Sequence, residues 1–278
     1  MRFVKMHGCG NDYVYVDCFR QKAPRDPSAL SVEISKPHTG IGSDGLILIE
    51  PCNGADARMR IFNKDGSEGE MCGNGIRCVG KYLFDSGLAQ KERIAVDTRG
   101  GVKYLDMIVK GEIAVGARVD MGKMLFEPDE IPVAAPSNRV QINCFGHDMA
   151  FFCLNAGNPH AVTVDRFPSE DEFYKMGSAL ERHPLFPERA NISFAVPLTK
   201  QRVKARIWER GSGPTLACGS GATATMVALY MQGLVDPKAE VQLPGGDLTI
   251  EYDEKSGHAF MSGPAEYVFT GEYPAEGI

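Results

Sequence analysis

The 278-residue sequence predicts an α+β protein made of two pseudo-symmetric halves that arose by internal duplication. One glycine-rich cysteine motif occurs twice, and each copy continues into an apolar pattern with helical spacing. The rest of each half consists mainly of short alternating strands joined by glycine-containing turns. One strong helix among many strands in each half is typical of two barrel-like domains.

The duplicated motif reads CGNGIRCVGKYLFDSGL from Cys72 and CGSGATATMVALYMQGL from Cys218. At a shift of 146 residues the two copies align without a gap, and the closing Gly87 falls on Gly233. Both of these glycines lie just after the predicted helix, where a residue in the left-handed conformation is expected to end it. Upstream, RIF at 60–62 aligns with RIW at 206–208 at the same shift. A period of this length indicates a duplicated domain rather than a solenoid repeat.

The elements of the first half follow from alternation, turn residues and apolar runs. An opening strand breaks at Gly8 and Gly10, and a weak helical pattern covers 28–34. The glycines of GIGSDG, at 40–45, precede a strand, whereas a dinucleotide-binding fingerprint needs glycines between a strand and a helix. The other strands are expected at 13–16, 46–49, 58–62, 94–97, 102–109 and 113–120.

The second half repeats this scheme after a stretch at 121–136 that holds three prolines and is the predicted crossover between the halves. A polar helix is expected at 169–181, and the repeated cysteine motif supplies the apolar helix. The strands are expected at 139–144, 149–154, 161–164, 191–196, 203–208, 241–243, 248–252 and 267–273.

Composition excludes several classes of function. The net charge is −6 with no basic run, which argues against a nucleic-acid partner. No apolar run approaches the ~18 residues of a membrane span, and MRFVKMHGCG lacks the apolar core of a signal peptide, so a cytoplasmic protein is expected. The eight cysteines are then expected to be reduced thiols, and their spacings form no zinc motif. We therefore expect neither a metal nor a cofactor.

The two motif cysteines each stand at the start of a helix, where unpaired N–H groups and a partial positive charge lower a thiol pKa and bind an anion. A single nucleophile would leave the second cysteine unexplained, and a redox pair is usually a Cys-x-x-Cys, which is absent. Two bases that face one carbon from opposite sides explain the duplication directly. One takes the α-proton as thiolate, and the other delivers a proton as thiol.

The stretches KMHGCGNDY, IFNKDGSE, MCGNGIRC, GNPH, FPERANI, WERGSGPTLACGSGA and LPGG resemble diaminopimelate epimerases along essentially the whole chain. This resemblance implies cofactor-independent interconversion of LL- and meso-diaminopimelate, in lysine and peptidoglycan synthesis. It also implies two domains, each a β-barrel around a central helix, with the active site in the cleft between them. The C-terminal strand would return to the first domain, which gives domains of 1–121 plus 265–278 and of 122–264. Members of the family are often dimers, so a homodimer is possible.

The resemblance also assigns roles to individual residues. The two bases map to Cys72 and Cys218, and the groups that tune the thiols map to His160 and Glu209. The substrate-contacting positions map to Asn11, Asn63, Gly73, Asn74, Asn158, Asn191, Glu209, Arg210, Gly219 and Ser220. One position departs from some members, which have a glutamine where this chain has Gly45. The other six cysteines are interpreted as structural.

Two other functions remain open at the level of sequence. A proline racemase or hydroxyproline epimerase would use the same two thiols on a substrate with one carboxylate. Arg210 and the asparagines of the second half favour a longer substrate with two carboxylates and two ammonium groups. A non-catalytic metal or redox thiol protein would instead bind zinc or form a stable disulfide.

Overall fold

The computed structural model describes residues 1–274 and divides into two compact units. Unit 1 comprises Met1–Val119 together with the C-terminal stretch that starts at Ser262, and unit 2 comprises Asp120–Met261. The domain boundaries expected from the sequence lie at 121/122 and 264/265. They remain a prediction.

The first half of the chain contains two helices and eight strands. The helices are α1 (Pro27–Ile34) and α2 (Gly73–Asp85). The strands are β1 (Arg2–Gly8), β2 (Asn11–Asp17), β3 (Gly45–Glu50), β4 (Ala57–Asn63), β5 (Glu68–Gly69), β6 (Arg93–Asp97), β7 (Lys103–Lys110) and β8 (Ile113–Lys123).

The described part of the second half contains a short 3₁₀ helix at Pro128–Glu130, the helices α3 (Glu170–Glu181) and α4 (Gly219–Met231), and ten strands. The strands are β9 (Arg139–Cys144), β10 (His147–Asn155), β11 (Pro159–Thr163), β12 (Asn191–Thr199), β13 (Arg202–Glu209), β14 (Gly213–Pro214), β15 (Lys238–Leu243), β16 (Gly246–Asp253), β17 (His258–Pro264) and β18 (Glu266–Glu272).

Strand pairing follows the same pattern in both units. In unit 1 the strands run in the order β18, β1, β2, β3, β4, β6, β7, β8, and in unit 2 in the order β9, β10, β11, β12, β13, β15, β16. The parallel pairs are β2–β3 and β4–β6 in unit 1 and β11–β12 and β13–β15 in unit 2, and the other pairs in these orders are antiparallel. The predicted duplication and α+β class are therefore confirmed.

Each unit has one buried helix against its strands. Helix α2 packs against β1, β2, β6 and β7, and α4 packs against β10 to β13, β15 and β16. Ten of the 13 residues are buried in each helix. The sequence of α4 is apolar on all sides, which is the pattern of a helix inside a core. Gly87 and Gly233 follow these helices with φ of 78° and 71°, so both predicted left-handed stops are confirmed.

The expected elements are present, but β17 and the two-residue strands β5 and β14 were not predicted. The sequence of β17, HAFMSGP, ends in glycine and proline, which usually mark a turn rather than a strand. Strand β8 also continues to Lys123, into the stretch that was expected to form the crossover.

Candidate active site

Both motif cysteines are N-cap residues. Cys72 and Cys218 have extended backbones, with φ, ψ of −131°, 119° and −117°, 114°, and each precedes the first helical residue. The Gly75 N–H donates to Cys72 Sγ at 3.4 Å, and the Gly221 N–H donates to Cys218 Sγ at 3.3 Å. Sulfur thus takes the place that a serine or aspartate oxygen occupies in an ordinary cap. A donated N–H favours the thiolate over the thiol.

A glycine occupies the third position of each of these helices, close to an isoleucine of the strand behind it. A Cβ at Gly221 would lie 2.6 Å from Ile207 Cδ1 and 3.2 Å from Cys218 Sγ. A Cβ at Gly75 would lie 2.7 Å from Ile47 Cδ1. Glycine at this position in both copies therefore lets the helix start lie close to the strand behind it, and a side chain there would displace the isoleucine.

Asn11 lies against Cys72 in unit 1. The Cys72 thiol donates to Asn11 Oδ1 across 3.3 Å, and Asn11 Nδ2 donates to Asp44 Oδ2 at 2.7 Å. Asp44 reaches this position because β2 and β3 are parallel neighbours, and its N–H donates to the Asp12 carbonyl at 2.8 Å. The Asp44 carboxylate thereby turns the amide oxygen of Asn11 towards the sulfur.

The rest of the Cys72 environment is largely buried. The pKa of Tyr13 is raised well above its ordinary value by burial, and the nearby Cys72 and Asp44 add to this effect. On the helix itself, the fully buried Arg77 donates to the Gly73 carbonyl at 3.1 Å and to Asn74 Oδ1 at 3.0 Å. Burial lowers the pKa of Arg77, and interaction with Cys72 acts in the opposite direction. Arg77 therefore fixes the first turn of α2 behind the thiol.

Cys218 has a different environment in unit 2. Its side chain is buried, and burial raises the pKa of the thiol well above its ordinary value, with the carboxylate of Glu209 as the next cause. Hydrogen bonds from Ser220, whose Oγ is 3.5 Å from the sulfur, and from the Gly221 N–H act in the opposite direction. The N–H at the helix start acts in the expected direction, but desolvation and a neighbouring negative charge outweigh it, so the pKa of Cys218 is raised overall.

Glu209 is the last residue of β13 and reaches the thiol from a fixed position. The hydroxyl of Thr215 donates to Glu209 Oε1, and the Ser212 N–H donates to the Glu209 carbonyl at 3.2 Å. The predicted tuning partner is thus beside Cys218, although the tuning role itself is not tested by geometry.

His160 lies in β11 and is fully buried. Its Nε2 is 2.7 Å from Asn158 Oδ1, and because an amide oxygen can only accept, Nε2 carries the proton. Within residues 1–274, Nδ1 has no hydrogen-bond partner. Burial, followed by the charge of Arg210, lowers the pKa of His160 to about 3. His160 is therefore neutral at physiological pH and presents a lone pair at Nδ1.

The buried neutral His160 should make stability depend on pH. Its folded pKa of about 3 lies below the ordinary 6.5, so between these values the unfolded chain binds the extra proton. The stabilising contribution is complete above about pH 6.5 and is lost as pH falls towards 3. In urea titrations from pH 7 to 4, wild type should lose up to ~1.4 kcal/mol per pH unit more than His160→Gln. The exposed His38→Gln is the control, and parallel curves for wild type and His160→Gln would contradict the assignment.

Asn191 and Arg210 are joined in the same unit. Asn191 Oδ1 accepts the Arg210 N–H at 2.9 Å, and Asn191 Nδ2 donates to the Pro159 carbonyl at 2.9 Å. The guanidinium of Arg210 donates to the Glu188 carbonyl at 3.1 Å. Asn191 therefore holds the main chain that carries Arg210, in addition to any contact that it makes with a ligand.

The structure brings most of the predicted residues into two groups, one in each unit. Asn11, Gly73 and Asn74 accompany Cys72, while Gly219, Ser220 and Glu209 accompany Cys218. Arg210 follows Glu209 in the chain and is linked to Asn191 and His160, and His160 is bonded to Asn158. Asn63 is different, because its side chain donates to Ser67 Oγ at 3.0 Å in its own turn. Sequence reasoning missed Tyr13, Asp44, Arg77 and Thr215. Tyr13 and Asp44 reach the Cys72 environment through tertiary contacts, whereas Arg77 acts within its own helix and Thr215 lies six residues from Glu209.

The described residues contain neither a metal-binding cluster nor a membrane-spanning helix. No group of three or more His, Cys, Asp or Glu side chains within 1–274 is arranged to hold a metal ion. No helix in the same part of the chain has the length and apolar character that crossing a membrane requires.

Comparison with known sequences gives a consistent result. The family model described as diaminopimelate epimerase matches residues 3–126 and 152–268. The diaminopimelate epimerase of Acetivibrio thermocellus is 48% identical over 279 residues, with 98% of each chain covered. That of Methanococcus maripaludis is 47% identical, covering 98% of this chain and 99% of the relative.

Comparison with solved structures supports the fold. A Bacillus anthracis phenazine biosynthesis protein of the PhzF family has a TM-score of 0.70 at 16% identity, covering 99% of both chains. A hydroxyproline epimerase from Agrobacterium vitis, solved with bound trans-4-hydroxy-L-proline, has a TM-score of 0.69 at 15% identity and covers 98% of this chain and 90% of that one.

Proposed function

The chain belongs to the diaminopimelate epimerase family and is an isomerase of the epimerase type, and we propose that it inverts one α-carbon of diaminopimelate by a two-base mechanism with Cys72 and Cys218 as the bases. The observation that carries the mechanism is the pair of equivalent thiol caps, each of which accepts the N–H of a glycine at the same helix position. The reaction would connect LL- and meso-diaminopimelate in lysine and peptidoglycan-precursor synthesis.

The chemistry requires one thiolate and one thiol on opposite faces of the α-carbon. The thiolate takes the α-proton and becomes a thiol, and the C–H electron pair is left on carbon as a carbanion next to the carboxylate. The opposite thiol then transfers its proton to that carbon and becomes a thiolate. Configuration is inverted, the enzyme is left with its two protonation states exchanged, and the reverse reaction uses the same groups in the opposite roles.

The developing negative charge needs preorganised donors. We assign this role to the first N–H groups of α2 and α4, at Gly73-Asn74 and Gly219-Ser220, because the first N–H groups of a helix lack partners within the helix. Donors of this kind stabilise charge that forms only in the transition state, so they accelerate the reaction rather than merely binding substrate.

The second carboxylate of the substrate distinguishes diaminopimelate from proline. We assign it to Arg210, whose main chain is held by Asn191 and whose guanidinium lies near the neutral His160. A planar guanidinium binds a carboxylate through two parallel hydrogen bonds, which a lysine cannot reproduce. Asn158 and Asn63 are also proposed to contact the substrate.

The decisive experiment is incubation of the pure protein with LL-diaminopimelate in heavy water. The expected result is meso product carrying deuterium at the inverted α-carbon. L-Proline and trans-4-hydroxy-L-proline serve as comparison substrates in the same assay. Inversion of a proline with diaminopimelate left unchanged would overturn the proposal.

Replacing Arg210 by lysine tests the substrate assignment. The change should lower kcat/KM for diaminopimelate by ~1–3 kcal/mol, the scale of a hydrogen bond to a charged group. Steady-state kinetics on the purified variant would measure this loss. Arg182→Lys, at an exposed position just after α3, is the matched control and should be kinetically silent. An equally silent Arg210→Lys would remove Arg210 from the substrate site.

A further inference from the structure

Glu181 is a buried carboxylate at the end of α3 with no role assigned above. Only 3% of the surface of Glu181 is exposed to solvent. Oε2 accepts the indole N–H of Trp208 at 2.8 Å, and Oε1 accepts the Gly211 N–H at 3.0 Å. One carboxylate therefore binds the residue before Glu209 and the residue after Arg210.

The same glutamate also holds a second loop. The guanidinium of Arg189 lies 3.6 Å from Glu181 Oε1, and the Ala190 N–H donates to the Glu181 carbonyl at 3.3 Å. Arg189 itself is in the left-handed region with φ of 60°, an unfavourable conformation for a residue with a side chain. The contacts hold this sharp turn immediately before Asn191, the residue that accepts the Arg210 N–H.

Close packing leaves little freedom around these contacts. A Cβ at Gly177 would lie 2.5 Å from the Trp208 ring, so helix α3 rests directly on the indole. In the turn that follows Glu209, a Cβ at Gly213 would lie 3.6 Å from the same ring. Helix α3, which carries Glu181, therefore packs directly against Trp208. Glu181 can hold the loop at Gly211 at a fixed distance from this helix.

We propose that Glu181 is a positioning residue that sets the Arg210 loop and the Asn191 loop at the spacing needed to bind the distal carboxylate of the substrate. This inference rests on the proposed function, since it uses the role given there to Arg210. Glu181 is assigned to substrate binding and not to proton transfer, because its contacts are main-chain and indole N–H groups of the binding loops. A glutamate that served only the core would affect stability without a selective effect on KM.

The variant Glu181→Gln tests the proposal because it removes the charge and replaces one acceptor by a donor without a change of size. A glutamine offers one acceptor oxygen and one donor nitrogen, whereas the Trp208 and Gly211 N–H groups both need an acceptor. One N–H must therefore face an NH₂ group. We expect KM for diaminopimelate to rise about tenfold or more, with kcat within about twofold of wild type, the pattern of lost ground-state binding.

Glu170→Gln is the matched control, because it removes the same charge from an exposed position on the same helix. Its KM should equal that of wild type. A folded Glu181→Gln protein whose KM is within twofold of wild type, or whose kcat falls while KM stays constant, would overturn the proposal.

A double variant provides a rescue that a purely structural role would not show. In Trp208→Phe the indole N–H is removed and the aromatic packing is largely kept, so in Trp208→Phe/Glu181→Gln the amide oxygen is free to accept from Gly211. On a logarithmic scale, the KM of the double variant should lie at least halfway between the KM of Glu181→Gln and that of Trp208→Phe. Such a result means that the two substitutions are not additive, as expected for two groups in contact. Strictly additive KM effects would contradict the assignment.

A measurement on the wild-type protein covers the case in which Glu181→Gln does not fold. The chain has one tryptophan, so its indole N–H gives a single resonance in a ¹⁵N-labelled sample. Saturation with LL-diaminopimelate should shift that resonance, because Trp208 is coupled to the Arg210 loop through Glu181. An unchanged resonance at saturation would overturn the inference. Absence of turnover by wild type would instead overturn the proposed function, so the two failures are distinguishable.

Discussion

Alanine at Cys72 or at Cys218 should abolish inversion of both stereoisomers while leaving one half-reaction measurable. Inversion needs a proton acceptor on one face of the α-carbon and a proton donor on the other, and each variant retains one of the two. General acid or base catalysis contributes about 10²–10⁴-fold, so the rate of inversion should fall by at least this factor. Each variant should still exchange the α-proton of the stereoisomer that faces its remaining thiol.

The measurement separates exchange from inversion. Each variant is given LL- and meso-diaminopimelate in heavy water, and deuterium uptake and product configuration are followed independently. The matched controls are Cys52→Ala and Cys144→Ala, which remove thiols that are interpreted as structural from the first and second halves. Inversion at near the wild-type rate by either active-site variant would show that the replaced cysteine is not a base.

The helices that carry the thiols were predictable because their signals are local and repeated. The glycine two positions into each helix, the cysteine before it and the glycine after its end all act within one stretch of chain, and each is present in both copies. The repeat also implies that the two halves share one order of parallel and antiparallel neighbours, but the order itself was not predicted and is seen only in the structure.

The environment of each thiol could not be obtained in this way. Asp44 orients Asn11 only because two parallel strands bring residues 33 positions apart into contact. The pKa of Cys218 is set by burial and by Glu209, and both outweigh the helix start that the sequence shows. Electrostatic effects depend on three-dimensional distance and solvent exposure, which a pattern of residues does not contain.

Glu181 shows the same limit more sharply. In the sequence EDEFYKMGSALE it resembles the other acidic residues of a polar helix, which ordinarily face solvent. Folding places it under Trp208 and Gly211, where its two oxygens have definite partners. A buried acidic residue is visible only once the helix is docked, because the helical pattern alone specifies a face and not the neighbours of each side chain.

Glu209→Gln should make the Cys218 thiol more reactive and the enzyme slower. The carboxylate of Glu209 raises the pKa of Cys218, so its replacement by a neutral amide of the same size should lower that pKa and increase the thiolate fraction near neutral pH. Alkylation of Cys218 by iodoacetamide, followed by peptide mass spectrometry, should therefore be faster, by at most about tenfold for each pKa unit lost, because a less basic thiolate is also a weaker nucleophile.

Turnover should change in the opposite direction. A thiolate with a lower pKa is a weaker base towards the α-carbon, and proton transfer from substrate slows as basicity falls. We expect kcat to drop by about 10–100-fold in the direction that uses Cys218 as base, a part of the general-base contribution. Glu170→Gln, an exposed change in the same unit, is the control for both measurements. Faster alkylation together with slower turnover is specific to a group that acts through the thiol. Unchanged or slower alkylation of Cys218 would show that Glu209 does not control its protonation, and the raised pKa would then have to be attributed to burial alone.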